Sequence, residues 1–171
     1  MSLGNKNISL VGFMGTGKSS VGKALAKKLG RPLVDIDRLI EEDEERKISD
    51  IFEKDGEPYF RKLEKAALES ASKRQGLVIT TGGGAMLDPQ NIETLRRSGW
   101  LICLSAKPET IYERVKDTRH RPLLKGGDVL SEIRRLMEIR QPFYAKADFY
   151  FQTDGRTAEE VASEILETLE K

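Results

Sequence analysis

The sequence predicts an α/β protein in which a parallel sheet is covered by helices on both faces. Five short apolar runs, separated by helix-like stretches, lie at residues 8–11, 33–36, 77–80, 100–104 and 149–151. Runs that are apolar throughout are typical of parallel strands buried on both faces. The alternation of such runs with helices is the pattern of a doubly covered sheet. With 171 residues, the chain is expected to form one domain, residues 1–171.

Five stretches between or beside these runs carry the caps and apolar periodicity of helices. Helix starts and stops are marked by short polar residues, by proline in the first turn and by glycine after the last turn. The markers are Gly30, Pro58, Asp88 with Pro89, Gly99, Asp128, and Thr157 with Glu160 as a capping box. Residues 114–127 instead contain a proline, a glycine pair and many cations, which predicts mostly loop.

The composition excludes several classes of protein. The chain carries 29 Lys and Arg against 28 Asp and Glu, and this balance argues against a generally basic nucleic-acid binder. No stretch approaches the roughly 20 apolar residues of a membrane span. The single cysteine, Cys103, lies in an apolar run and is expected to pack there as a buried thiol. We therefore expect a cytoplasmic protein that binds neither nucleic acid nor membrane.

A phosphate-binding loop is the clearest motif. Residues 12–19 read GFMGTGKS and fit G-x-x-x-x-G-K-[ST], with a predicted strand before them and a predicted helix after them. Backbone N–H groups of such a loop surround phosphate oxygens, the lysine reaches the β- and γ-phosphates, and the hydroxyl can bind Mg²⁺. The residues assigned to the nucleotide are Gly15, Thr16, Gly17, Lys18, Ser19 and Ser20. The motif predicts nucleoside triphosphate binding without separating a kinase from a GTPase or an ATPase.

Two carboxylates and a glycine-rich turn follow the second and third predicted strands. Strand alternation would send the carboxylates of Asp35 and Asp37 to the same side of the chain. One could lie near Mg²⁺ and the other near an acceptor hydroxyl, although aspartate is also common in ordinary strand-end turns. Residues 81–85 read TGGGA, a sequence that either admits a ligand close to the backbone or forms a flexible turn. Ligands bind beyond strand carboxyl ends in such sheets, which favours the ligand-binding interpretation.

Three arginines are candidates for binding anions. Arg61 and Arg140 lie on predicted helices, and arginine grips a carboxylate with two parallel hydrogen bonds. Arginines on helices are also commonly solvated surface residues. Arg121 belongs to a cationic stretch, residues 119–125, that is either a lid over the phosphates or an ordinary surface loop.

Taken in order and spacing, these motifs resemble those of the shikimate kinase family over residues 7–169. The most specific match is FEKDGEPYFR at residues 52–61, which fits the family pattern F-x-x-x-G-E-x-x-F-R. RPLL at residues 121–124 resembles the family's lid, and RQPFY at residues 140–144 resembles its R-x-P-x-Y motif.

This resemblance implies both a fold and a reaction. The fold would be the three-layer α/β/α P-loop NTPase fold, with a five-stranded parallel sheet, a substrate-binding helical segment at about 35–63 and a lid at about 114–127. The reaction would transfer the γ-phosphate of ATP to the 3-hydroxyl of shikimate, with Mg²⁺, in aromatic amino acid biosynthesis. The family also implies a monomer.

The resemblance implies a role for each site residue. Asp37 would deprotonate the acceptor hydroxyl, and Asp35 would hold Mg²⁺ beside Ser19. Arg61, supported by Glu64, would bind the substrate carboxylate together with Arg140. The remaining assignments are Gly82, Gly83 and Gly84 along the substrate, Lys18 and Arg121 at the transferred phosphate, and Arg114 and Arg156 near the adenine.

Two alternatives stay open at this point. Another small-molecule kinase of the same fold, acting on gluconate or a nucleoside monophosphate, would carry a similar phosphate loop. A nucleotide-binding switch without transfer activity would also carry it, but it would not need the set Asp37, Arg61 and Arg140.

Overall fold

Five parallel strands form the centre of the computed structural model, which describes residues 3–117 and 128–171. The sheet has the strand order β2-β3-β1-β4-β5. The strands are β1 (Asn7–Val11), β2 (Leu33–Asp35), β3 (Val78–Thr80), β4 (Gly99–Ser105) and β5 (Phe149–Gln152). Each lies within two residues of a run predicted from the sequence, and the predicted α/β class is confirmed.

Helices cover both faces of this sheet. The α-helices in the described residues are α1 (Lys18–Leu29), α2 (Ile36–Glu44), α3 (Ile48–Asp55), α4 (Glu57–Ser72), α5 (Pro89–Ser98), α6 (Pro108–Val115), α7 (Val129–Tyr144) and α8 (Ala158–Glu170). One face packs against α1 and α8 around Leu25 and Ile165. The opposite face packs against α2, α4 and α5 around Ile36, Leu68 and Leu95. The three predicted layers follow from these two cores.

Local sequence accounts for most helix ends. Gly30 follows α1 in the left-handed conformation, with φ of 61°. Asp88 and Asp128 cap α5 and α7 with their side chains, and Thr157 with Glu160 forms the predicted capping box of α8. Such caps satisfy backbone N–H groups that the first helical turn leaves without partners.

The loop predicted for residues 114–127 begins later than expected. Arg114 lies in α6, which continues to Val115 and buries that side chain beside Phe13 and Ile111. The apolar contacts of Ile111 and Val115 favour helix over the loop signals that follow them. Residues 118–127, including most of the predicted lid, lie outside the described residues. No helix in the described part of the chain has the length and hydropathy of a membrane span.

Candidate active site

The phosphate-binding loop connects β1 to α1 and is held in place by its own polar groups. Gly17 precedes α1 with φ of 97°, a conformation that side chains disfavour. The Lys18 ammonium donates hydrogen bonds to the carbonyls of Gly12 and Phe13, at 2.7 and 2.9 Å. The Thr16 hydroxyl donates to the carbonyl of Phe13 at 2.7 Å. The lysine side chain therefore lies across the loop and is held by the carbonyls at its start.

A hydroxyl and a carboxylate meet beside this loop. The Ser19 hydroxyl donates to Oδ2 of Asp35 at 3.3 Å, while Oδ1 of Asp35 accepts from the backbone N–H of Arg38 at 3.1 Å. Asp35 is thus the last residue of β2 and the N-cap of α2. The expectation that strand alternation directs Asp35 and Asp37 to one side is wrong, because α2 begins at Ile36. The first turn of the helix brings Asp37 to the same hollow instead.

Asp37 lies on the boundary between two cavities. One is a hollow of about 240 Å³ lined by the phosphate-binding loop, including Lys18 and Ser19. The other is a cleft of about 640 Å³ whose walls carry Arg61 and Arg140. Asp37 lines both of them. A group bound in the cleft could therefore meet a phosphate bound in the hollow beside this carboxylate.

Arg61 projects from α4 between two carboxylates of the same helix. Its Nη1 donates to Oε1 of Glu64 at 2.9 Å, and its Nη2 donates to Oε1 of Glu57 at 3.1 Å. The predicted support of Arg61 by Glu64 is confirmed. Burial raises the pKa of Glu64 to about 7, although the Arg61 guanidinium acts in the opposite direction and Asp37 adds to the rise. The two partners of Arg61 therefore differ, because Glu57 is exposed and Glu64 is buried.

Arg140 enters the cleft from α7 and is almost fully buried, with 4% of its surface exposed. Its guanidinium carbon lies 5.3 Å from the centre of the Phe13 ring, within range for a cation–π contact. Its Nη1 is buried and makes no hydrogen bond to the described residues. A buried cation with an unused donor in the wall of a cleft is suited to binding an anion.

The three glycines after β3 each lie against a different charged side chain. A Cβ on Gly82 would lie 2.9 Å from Oδ1 of Asp37, and a Cβ on Gly84 would lie 2.4 Å from Nη2 of Arg61. A Cβ on Gly83 would lie 3.4 Å from Nη1 of Arg140. The glycine-rich turn therefore packs against Asp37 and both arginines, and the absence of side chains on the turn makes room for them.

Of the other residues predicted to bind the nucleotide, Arg114 and Ser20 line the phosphate hollow and Arg156 does not. Arg114 donates from Nη1 to the carbonyl of Gly15 at 2.9 Å and lines the phosphate hollow. Arg156 is not among the residues that line the hollow, and its guanidinium pairs with Glu164 at 2.6 Å. Ser20 lines the hollow with the rest of the loop. Arg121 lies outside the described residues.

Two aromatic residues of the site carried no assigned role in the sequence analysis. The Tyr144 hydroxyl donates to the carbonyl of Gly83 at 2.5 Å, and burial raises the pKa of Tyr144 to about 12. Tyr144 follows Arg140 by four residues, a spacing that places both on one helical face and could have revealed it. Phe13, under Arg140, is one of the variable positions of the phosphate-loop motif, so the motif gave no indication of its role.

A phosphate-binding loop, a carboxylate at its edge and paired arginines across a cleft define the class of P-loop phosphotransferases that act on small anionic acceptors. The family model described as shikimate kinase matches residues 14–170. The chain belongs to the shikimate kinase family.

Individual relatives are similar to this chain over nearly its whole length. The sequence is 48% identical to a shikimate kinase of Caldanaerobacter subterraneus subsp. tengcongensis over 161 residues, which cover 94% of each chain. It matches the structure of a shikimate kinase from Acinetobacter baumannii in complex with shikimate with a TM-score of 0.94 and 37% identity, covering 98% of this chain and 94% of that one. A shikimate kinase from Aquifex aeolicus matches with a TM-score of 0.84 and 40% identity, covering 96% of each chain.

Proposed function

We propose that this chain transfers the γ-phosphate of ATP to the 3-hydroxyl of shikimate, giving shikimate 3-phosphate and ADP. Membership of the shikimate kinase family supports the reaction. The observation that carries the assignment of the site is the position of Asp37 on both the phosphate hollow and the arginine-lined cleft. A kinase needs this arrangement, because the acceptor oxygen must approach the γ-phosphorus in line with the departing ADP oxygen.

Asp37 is the proposed base and orienting group for the acceptor. Its carboxylate accepts the proton of the 3-hydroxyl as that oxygen bonds to the γ-phosphorus. The bond from phosphorus to the bridging oxygen of ADP breaks in the same step. Lys18 exchanges its contacts with the loop carbonyls for phosphate oxygens, and its charge offsets the negative charge of the transferring group.

Arg61 and Arg140 are the proposed clamp for the substrate carboxylate. They reach the cleft from α4 and α7, and the unused Nη1 of Arg140 is a ready donor. Holding the acid at two cations on different helices would fix the direction of its ring hydroxyls. Gly82, Gly83 and Gly84 would let the ring approach the backbone closely.

Ser19 and Asp35 are the proposed protein ligands of Mg²⁺. Their oxygen atoms lie 3.3 Å apart beside the hollow, and Mg²⁺ commonly takes one or two protein oxygens with water and phosphate as its other ligands. The described residues contain no group of three His, Cys, Asp or Glu side chains that could hold a metal without such help. When bound, the ion would neutralise charge on the β- and γ-phosphates.

The remaining assignments form the outer part of the proposal. Arg114 and Arg156 would lie near the adenine, and the contact of Arg114 with the carbonyl of Gly15 supports the first of these. Arg121 would reach the transferred phosphate from a lid. We also propose a cytoplasmic monomer, for which light scattering on the purified protein should give the mass of one chain.

Coupled measurement of ADP release with ATP and Mg²⁺ tests the reaction. Shikimate, gluconate and a set of nucleoside monophosphates would be offered separately. Release that depends on shikimate alone is expected. Release with another acceptor would reassign the clamp to that substrate, and no release despite ATP binding would favour a nucleotide-binding switch.

A further inference from the structure

Glu64 carries a carboxylate that is buried in the wall of the substrate cleft. Only 1% of its side chain is exposed. Its Oε1 accepts a hydrogen bond from Arg61, but Oε2 is buried and has no hydrogen-bond partner among the described residues. An ionised carboxylate at such a position is costly, because nothing compensates the water that Oε2 has lost.

The charged and titratable groups around Glu64 come from several helices. Arg61 lies on the same helix and is shared with Glu57. Asp37 approaches from α2, since the position of a Cβ on Gly82 lies 2.9 Å from Oδ1 of Asp37 and 3.3 Å from Oε2 of Glu64. The other titratable or charged groups that border this region are Arg140 and Tyr144 on α7, and Glu41, Lys47 and Asp50, which also line the cleft. The glycine-rich turn adds no charge.

A substrate carboxylate would change this balance. Arg61 already contacts two carboxylates, and the substrate would become a third. The new anion would weaken the hold of Arg61 on Glu64 and add repulsion within a site of low polarity. Burial has already raised the pKa of Glu64 to about 7, so both its ionised and its protonated form are populated near neutral pH.

We propose that Glu64 takes up a proton from solvent when an acid substrate binds between Arg61 and Arg140, so that the cleft holds the acid more tightly as the pH falls. Glu64 is thereby a positioning residue whose charge state sets how much of Arg61 is free for the substrate. The inference rests on the proposed function in that shikimate is the acid.

Calorimetric titration of the protein with shikimate alone, between pH 6 and pH 9, tests this coupling. Each pH would be measured in two buffers with different ionisation enthalpies, which reports the protons taken up on binding. If the complex holds the proton about tenfold more tightly than the free protein, the dissociation constant rises on the order of eightfold from pH 6 to pH 9. Net proton uptake is expected to be greatest near pH 7 to 8.

Three variants identify the group that takes up the proton. Glu64→Gln should bind shikimate with a dissociation constant that no longer follows pH. Glu57→Gln is the matched control, because Glu57 also contacts Arg61 but is exposed, and it should keep the pH dependence. His120→Asn should keep it as well, although His120 is the one histidine in the chain.

The outcomes separate this inference from the proposed function. Shikimate binding without proton uptake by the wild-type protein would overturn the role of Glu64 and leave the reaction standing. Proton uptake that persists in Glu64→Gln, or that disappears in His120→Asn, would do the same. Absence of shikimate binding at every pH would overturn both proposals.

Discussion

Gly84 faces the guanidinium of Arg61 so closely that a Cβ there would lie 2.4 Å from Nη2. The backbone of Gly84 does not itself require glycine, since its φ is −98°. The missing side chain is therefore needed by Arg61, which lies over the turn between Glu57 and Glu64. One helix and one turn thus fix the direction of a cation that points into the cleft.

Gly84→Ala should displace Arg61 without straining the backbone. We expect kcat/KM for shikimate to fall by about 10- to 100-fold, because small misplacements of positioning groups carry large kinetic costs. The KM for ATP should stay unchanged and serves as an internal control. Steady-state kinetics with each substrate varied in turn makes the measurement. An unchanged KM for shikimate would argue against a substrate contact by Arg61.

Arg61→Lys should weaken binding of the acid while keeping its positive charge. Lysine cannot form the two parallel hydrogen bonds that a planar guanidinium offers, so we expect the KM for shikimate to rise by about 10-fold or more. Arg97→Lys on α5 is the matched control, since Arg97 is exposed and pairs with Glu93 on its own helix. Equal KM values for the two variants would remove Arg61 from the clamp.

Asp37→Asn should separate catalysis from nucleotide binding. An amide cannot accept the hydroxyl proton, so turnover is expected to fall by about 10²- to 10⁴-fold, while the affinity for ATP is retained. Asp43→Asn is the control on α2, because Asp43 is exposed on that helix. Rates from the coupled assay and nucleotide affinities from calorimetry make the comparison. Near-normal turnover in Asp37→Asn would assign the base to another group.

Motifs and caps in the sequence predicted much of this structure. The phosphate-binding motif predicted the strand before it and the helix after it. Asp88, Asp128 and Thr157 each cap the helix that they were expected to begin. Such features depend on a few neighbouring residues, and so they are visible in one sequence. Three short helices, α2, α3 and α6, were not predicted from local signals, because eight or nine residues carry little periodicity.

The sequence identified the residues of the candidate site better than it identified the contacts between them. Asp37 was selected, but the reason given for its direction failed when α2 began one residue after β2. The contact of Gly83 with Tyr144 joins positions that are 61 residues apart. Nothing in the local pattern of either residue indicates the other, because the sheet brings them together through long-range packing.

Lys18→Ala should impair nucleotide use more than it impairs folding. The ammonium contacts two loop carbonyls here, and we propose that it contacts phosphate when ATP is present. We expect a loss of at least about 100-fold in kcat/KM for ATP, typical of removing a charge-stabilising group from a phosphoryl-transfer site. Lys23→Ala is the matched control, since Lys23 is exposed on the same helix. ATP use at the wild-type rate in Lys18→Ala would contradict the phosphate-cradle assignment.

The burial of Glu64 also predicts how stability depends on pH. Its pKa is raised from the ordinary 4.5 to about 7 in the folded protein, so the folded state favours the protonated form. That contribution is fully present below pH 4.5 and is lost as the pH rises through 7. Between pH 5 and pH 8, wild type should therefore lose about 2–3 kcal/mol of unfolding free energy relative to Glu64→Gln, which does not titrate. Urea unfolding of both proteins at the two pH values measures this difference. A constant difference would mean that Glu64 stays ionised in the folded protein as it does in the unfolded one, with a pKa too low for proton uptake near pH 7 when an acid binds.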